Sequence, residues 1–247
     1  MSEYVGRWPL LDAGLLNPGL DLAGLARSFA EHSRIQIDNA LRTDVADFLH
    51  EELLHRTPWS LAWRSRNGHQ KTPLREWEAM PPDKRERWQR EFDDLAREGF
   101  QFSYLSYMMI TGYMNREAPD SPLNRVVELL NRGDWLEPMR AVIGDRRPVR
   151  TNCQATRYRP GDFLSLHNDH SAEEIRYAAY VINLGRDWKA DQGGLLQFLN
   201  DDDDVIDTMV PRFNTISLFR APQLHCVSPV ARHASGSRLA ITGWLMG

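Results

Sequence analysis

The spacing of hydrophobic positions changes part-way along the chain. Residues 1–32 hold Pro9, Gly14, Pro18, Gly19 and Gly24 among leucines without a period, which reads as an irregular arm lying over the body. Ile35 and Ile37 alternate with polar neighbours, predicting a short strand over 33–38. Thr43 then offers an N-cap to a helix with the apolar stripe Val45, Phe48, Leu49, Leu53. Residues 56–78 read as loop and short strand, with Trp59, Trp63 and Trp77 among Pro, Gly and Arg. Pro82 and Asp83 start a helix that Gly99 stops, its inward face Trp88, Phe92 and Leu95. Residues 100–110 are aromatic and β-prone, and two further helices end at Gly133 and Gly144.

From residue 150 the period drops to two. Eight short segments have strand character: 150–158, 164–166, 176–184, 194–199, 208–210, 215–219, 224–229 and 238–245. Turn residues separate them, among them Pro160-Gly161, Asp201 to Asp204, Pro222 and Ser235-Gly236. Helices followed by about eight short antiparallel strands imply an α+β fold with a two-sheet β-barrel, or jelly roll, at the C-terminal end. With 247 residues, one large domain or two small ones is the range. The first half carries no site of its own, so the expectation is a single domain over 1–247. It comprises the arm (1–32), a mostly helical support with the first strands (33–149) and a catalytic core (150–247).

Composition narrows the function classes. Hydrophobic residues make up 42% and charged residues 26%, so a disordered or fibrous chain is excluded. The net charge of -4 supplies no global field for nucleic acid or an anionic membrane. Two cysteines cannot build a disulfide framework, and there is neither an export signal nor an apolar run of about 18 residues. A cytoplasmic protein is expected, with no membrane and no nucleic-acid partner.

Against this background His167-Asn168-Asp169 stands out. On an extended chain, residues two apart share a face, so an imidazole and a carboxylate converge. His225 follows 56 residues later on another strand-like segment. Two histidines and one carboxylate leave open positions on an octahedral metal, the arrangement of non-haem Fe(II) oxygenases; a lone HxD, equally, is met by chance in loops. Arg238, Ala240, Thr242 and Trp244 share one face of the last strand, a poor core wall because a buried guanidinium needs an anion. A bound dicarboxylate would supply it by bidentate pairing. Asn152, Gln154, Thr156 and Tyr158 alternate in the same way, as either a solvated sheet face or the wall of a polar pocket.

Together, His167-x-Asp169, His225 and the RxAITxW strand at Arg238 resemble the 2-oxoglutarate and Fe(II)-dependent dioxygenases, in their prolyl 4-hydroxylase-like branch. Tyr158-Arg159-Pro160-Gly161, Asp187-Trp188, Gly193-Gly194-Leu195 and Pro211-Arg212-Phe213 support the resemblance, which is strong over about 150–247. It implies a double-stranded β-helix with Fe(II) held by His167, Asp169 and His225, and O2 and 2-oxoglutarate as co-substrates. Arg238 would pair with the distal carboxylate of 2-oxoglutarate, with Tyr158, Thr242 and Trp244 in its pocket and ascorbate as a reductant. The implied reaction is hydroxylation of an unactivated C–H, foremost of a prolyl residue in a protein or peptide, with release of succinate and CO2. A free amino acid or other small molecule is the alternative substrate, and a non-catalytic iron and 2-oxoglutarate sensor the alternative class. A cupin-like site for another metal is a further reading, against which Arg238 counts. Thirteen residues separate His225 from Arg238, which reads as a hairpin widened over 231–237. Arg232 and Arg238 stand six apart, as in the nucleic-acid demethylases, but the strand begins at the second arginine, against that branch.

Of the remaining features, Asp201 to Asp204 reads as a hairpin tip and the tryptophans as helix-to-barrel packing. His170 reads as loop, and Cys226 as a core residue on the far face of its strand.

Overall fold

A computed structural model of the protein describes residues 4–247; the first three residues of the arm lie outside the described residues. Thirteen strands form one antiparallel sheet that curls into a nearly closed barrel. Along its main path run β1 (Arg34–Asp38), β11 (Thr215–Arg220), β8 (Arg176–Asn183), β13 (Arg238–Met246), β6 (Gln154–Tyr158) and β4 (Phe102–Tyr107). The path continues through β7 (Phe163–His167), β12 (His225–Val227), β9 (Leu196–Leu199) and β10 (Val205–Met209). β4 is the seam, pairing with β6 through Leu105 and with β7 through Phe102. The two ends of this path, β1 and β10, face each other through side chains: Arg34 Nε donates to Asp207 at 2.6 Å and Gln36 Nε2 to the Val210 carbonyl at 2.9 Å. This is the expected α+β jelly roll.

Period-two alternation sorts the barrel strands into two environments. Ala178, Tyr180 and Ile182 of β8, with Leu239, Ile241 and Leu245 of β13, point outward into the large core beneath the helices. Ala179 and Val181 of β8, with Thr242 and Trp244 of β13, point inward to a cavity. Among the described residues eight α-helices cover the outer face. α3 (Thr43–His55) buries Val45, Leu49 and Leu53 there, and α8 (Gly133–Ile143) buries Trp135 against Tyr180. Each such side chain contributes about 1.5–3 kcal/mol by leaving water. One apolar cluster runs from Leu11 to Leu245.

Several local expectations change. The arm is partly helical: α1 (Pro9–Asp12) is short, and α2 (Leu22–His32) makes three turns because Asp21 caps the Gly24 amide and Phe29 buries fully. Thr43 is the first residue of α3 rather than its cap, and Arg42 precedes it without a side-chain cap. Residues 60–73 form a full hairpin, β2 (Ser60–Ser65) and β3 (Gly68–Pro73), followed by α4 (Leu74–Ala79). Sequence patterning missed β3 because its residues are polar and lie at a half-exposed edge. The tryptophans pack as expected: Trp63 lies 4.7 Å from Phe92 and 5.2 Å from Trp88 on α5 (Pro82–Glu98). The β-prone stretch ends at Tyr107, beyond which α6 (Met109–Asn115) begins. The next helix, α7 (Leu123–Leu130), stops before Gly133, which opens α8.

The strand over 150–158 is interrupted, leaving β5 (Arg150–Thr151) and β6. The 231–237 segment is no hairpin. It crosses from β12, which lies between β7 and β9, to β13, between β8 and β6. Asp201 to Asp204 does form the tip between β9 and β10, with Asn200 Oδ1 accepting from the Asp202 and Asp204 amides. Among the described residues no helix is long and apolar enough to cross a membrane.

Candidate active site

The inward faces enclose a cavity of about 910 Å³ whose lining includes His167, Asp169, His225, Tyr158, Arg238, Thr242 and Trp244. His167 ends β7 and His225 begins β12, directly opposite one another in register, with ring centroids 4.2 Å apart. Asp169 joins them for a reason that strand alternation does not supply. The strand has ended, and Asp169 adopts the left-handed region at φ 59°, which Asp tolerates better than bulky residues do. That turn brings its carboxylate back to 3.4 Å from His167 Nε2 and 3.6 Å from His225 Nε2.

The hydrogen bonds on the far side of both rings fix what the near side offers. His167 Nδ1 lies 2.9 Å from the Ser165 carbonyl and His225 Nδ1 2.7 Å from that of Gln223. A carbonyl only accepts, so each Nδ1 carries the proton and each Nε2 presents a lone pair. Burial, and secondarily His167, push His225 down to about 4, so its ring is neutral at neutral pH. Burial works against the charge on Asp169, but the His167 contact and both imidazoles outweigh it and hold the carboxyl below its usual range. Three ligand atoms within 4.8 Å of one another, two imidazole nitrogens and one carboxylate oxygen, suit a divalent transition metal and leave positions open toward the cavity.

Arg238 sits deeper, 3% exposed, with its guanidinium 4.9 Å from the ring of Tyr158, its cross-strand partner. Its Nε has no hydrogen-bond partner, and no carboxylate lies within ion-pair distance among the described residues. Burial pushes the guanidinium below its usual value and the Tyr158 hydroxyl well above its own. Gly194 leaves room beside this arginine, and Gly193 lets the chain pass close to the backbone at Pro229; both have positive φ. A Cβ at Gly193 would meet the Pro229 carbonyl oxygen at 2.1 Å, and one at Gly194 would press Arg238 Cδ at 3.3 Å.

The comparisons with known proteins bear on this constellation. Residues 153–246 match the family model described as the 2OG-Fe(II) oxygenase superfamily. The likeness to that superfamily is carried by this segment, less than half of the chain. No curated protein matches the chain. Three solved structures share the fold. A Pseudomonas putida prolyl-4-hydroxylase is 18% identical, with a TM-score of 0.52, covering 91% of this chain and 98% of its own. A 2OG-Fe(II) oxygenase family oxidoreductase from Burkholderia pseudomallei is 14% identical (TM-score 0.57; 93% and 92%). A Trichoplax adhaerens prolyl hydroxylase in complex with a hypoxia inducible factor oxygen degradation domain peptide fragment is also 14% identical (TM-score 0.61; 91% and 88%). The superfamily implies Fe(II), 2-oxoglutarate and O2, and the His167, Asp169, His225 cluster is where iron could bind.

The other sequence candidates divide. Thr242 Oγ1 donates to the Tyr180 carbonyl, and Trp244 keeps a buried, unpartnered Nε1. Asn152, Gln154 and Thr156 line the cavity, so this strand face is pocket wall rather than solvated sheet. His170 lines the cavity from a loop and is not in the ligand cluster. Cys226 is half-buried and its thiol reaches Gln197, so it is not core: β12 is short and its far face is incompletely covered. Two residues went unnoticed in the sequence. Tyr104 stacks on Tyr158 at 4.9 Å, and the period-two row Phe100, Phe102, Tyr104 was its available signal. Arg176 lies 3.9 Å over the ring of Trp244, a contact that local sequence does not announce.

Proposed function

We propose that the protein is a 2-oxoglutarate- and Fe(II)-dependent dioxygenase that hydroxylates an unactivated C–H, foremost of a prolyl residue in a protein or peptide, releasing succinate and CO2. The observation that carries this reading is Arg238: a buried cation without an anion, in the same cavity as three converging metal ligands. A dicarboxylate co-substrate answers the arginine and the metal together, whereas a hydrolytic metal site has no use for it. In this reading the chain works as one unit, residues 150–247 forming the core and 33–149 its support.

His167, Asp169 and His225 would hold the iron, which when bound supplies the oxidative decarboxylation of 2-oxoglutarate and oxygen transfer to the substrate. Arg238 would orient the far carboxylate by a charge-assisted pair, with Tyr158 and Tyr104 packing beside it. Thr242 and Trp244 would form the adjoining wall. Ser165 and Gln223 hold the imidazoles through their Nδ1 protons, so each Nε2 would be the nitrogen left to hold the iron. The aromatic wall keeps water from the reacting centre.

Purified protein with Fe(II), ascorbate and 2-oxoglutarate should release succinate when given extract proteins. Mass spectrometry should find +O on prolyl residues that is absent with His167→Ala. No succinate above the His167→Ala level would overturn the reading. Oxygen added only to small molecules would replace the peptide substrate with a free one.

A further inference from the structure

We infer that the substrate is anionic beside the reacting carbon: an acidic peptide segment held by cations on separate elements of the cavity lining. The inference rests on the dioxygenase reading above, and it starts from the charges that this reading does not use. With Asp169 assigned to the metal and Arg238 to the co-substrate, the lining keeps three cations, Lys71, Arg150 and Arg176, against one carboxylate, Glu174.

Glu174 does not neutralise them. It is shared, 3.3 Å from Arg176 Nη2 and 3.7 Å from Arg150 Nη2. Arg176 is held flat, with its guanidinium on the Trp244 ring and Nη1 donating to the Asp169 carbonyl at 3.3 Å, while its buried Nε has no partner. A fixed guanidinium with a spare donor beside the metal ligands is built to receive an oxygen.

The third cation stands on a separate element, the β2–β3 hairpin. Lys71 pairs in register with Ala62, and Ala62 with Tyr104, so Lys71 stands two strand spacings, about 10 Å, outward from the tyrosine. Among the described residues it makes no ion pair; burial lowers its ammonium from the usual value, and Glu117 opposes this from a distance. Cations on separate elements suit a chain crossing the mouth with acidic groups on either side of its target better than one compact acid. The positive mouth also stands against a net charge of -4, so it steers locally, within a Debye length of about 8–10 Å.

The test uses three fluorescein-labelled proline-centred peptides whose flanks carry Asp and Glu, Ser and Gly, or Lys. Anisotropy is read on the full chain with Mn(II) and 2-oxoglutarate under argon, which isolates docking from turnover. The acidic peptide should bind about tenfold more tightly than the neutral one, falling to about twofold at 0.5 M salt. Lys71→Glu and Arg150→Glu should each weaken the acidic peptide and strengthen the lysine-flanked one, with thermal melts confirming a folded chain. Equal binding of acidic and neutral peptides, or charge reversals without effect, overturns the inference. Wild-type protein that turns over 2-oxoglutarate while failing these tests sinks only this inference, whereas loss of that turnover sinks the dioxygenase reading itself.

Discussion

Arg125 and Arg238 are both buried, at 1% and 3% exposure, yet they live in opposite circumstances. Arg125, on α7, is met by Asp12 of the arm and by Glu128 one turn along its own helix, each at 2.8 Å. Arg238, inside the barrel, is met by a tyrosine ring and no anion. An arginine satisfied from within the chain is structural, tying the arm to the helices. One kept buried without a counter-ion costs stability unless something outside the chain completes it.

The largest expected effect falls on the satisfied one. Arg125→Met should lower unfolding free energy by about 3–5 kcal/mol in a urea titration, because it takes the guanidinium from two carboxylates, Asp12 and Glu128. Any folded fraction should keep its 2-oxoglutarate turnover. A loss below about 1 kcal/mol would erase the contrast between the two arginines. Next, 2-oxoglutarate with Mn(II) at a hundredfold excess over its dissociation constant should stabilise the wild type by about 2.7 kcal/mol, seen as a rise in Tm. Arg238→Met should show none of that rise. Without ligand, the same variant should be as stable as the wild type or about 1 kcal/mol more so, since an apolar side chain replaces an uncompensated charge. A large loss of stability would mean that Arg238 is structural after all.

The smallest effect belongs to a surface pair. Arg147 bonds to Asp145 and holds its carboxyl at about 2, below the ordinary 3.8. A depressed carboxylate stabilises the fold above its unfolded value, and that contribution fades as pH falls from 3.8 through 2. Asp145→Asn should therefore lower the urea midpoint slightly at pH 7, with the gap to the wild type closing as pH falls from 3.8 through about 2.

Much of the barrel was legible because its signals are local. The strand alternation that sorts Leu239 and Ile241 from Arg238 and Thr242 is printed in consecutive residues, as are the turns between strands. The β2–β3 hairpin was not legible, since Gly68 to Pro73 carries polar side chains whose strand state depends on pairing with β2. The same holds for α2, whose glycine-bearing sequence becomes helical through its Asp21 cap and the burial of Phe29. Strand alternation alone sets Asp169 beside His167 on an extended chain, whereas it is a left-handed turn that brings the carboxylate there.

The sequence by itself determined the residue types and their order: two imidazoles, one carboxylate and one arginine, on segments whose period of two sends alternate side chains to opposite faces. It could do so because alternation and turn chemistry act over a few residues. Only the tertiary structure decided that His167 and His225 stand in register, that each Nε2 is the free nitrogen, and that Arg238 has no anion of its own. Those facts depend on which strands become neighbours and on which groups are left without partners once the barrel has closed, and neither is written in any one stretch of the chain.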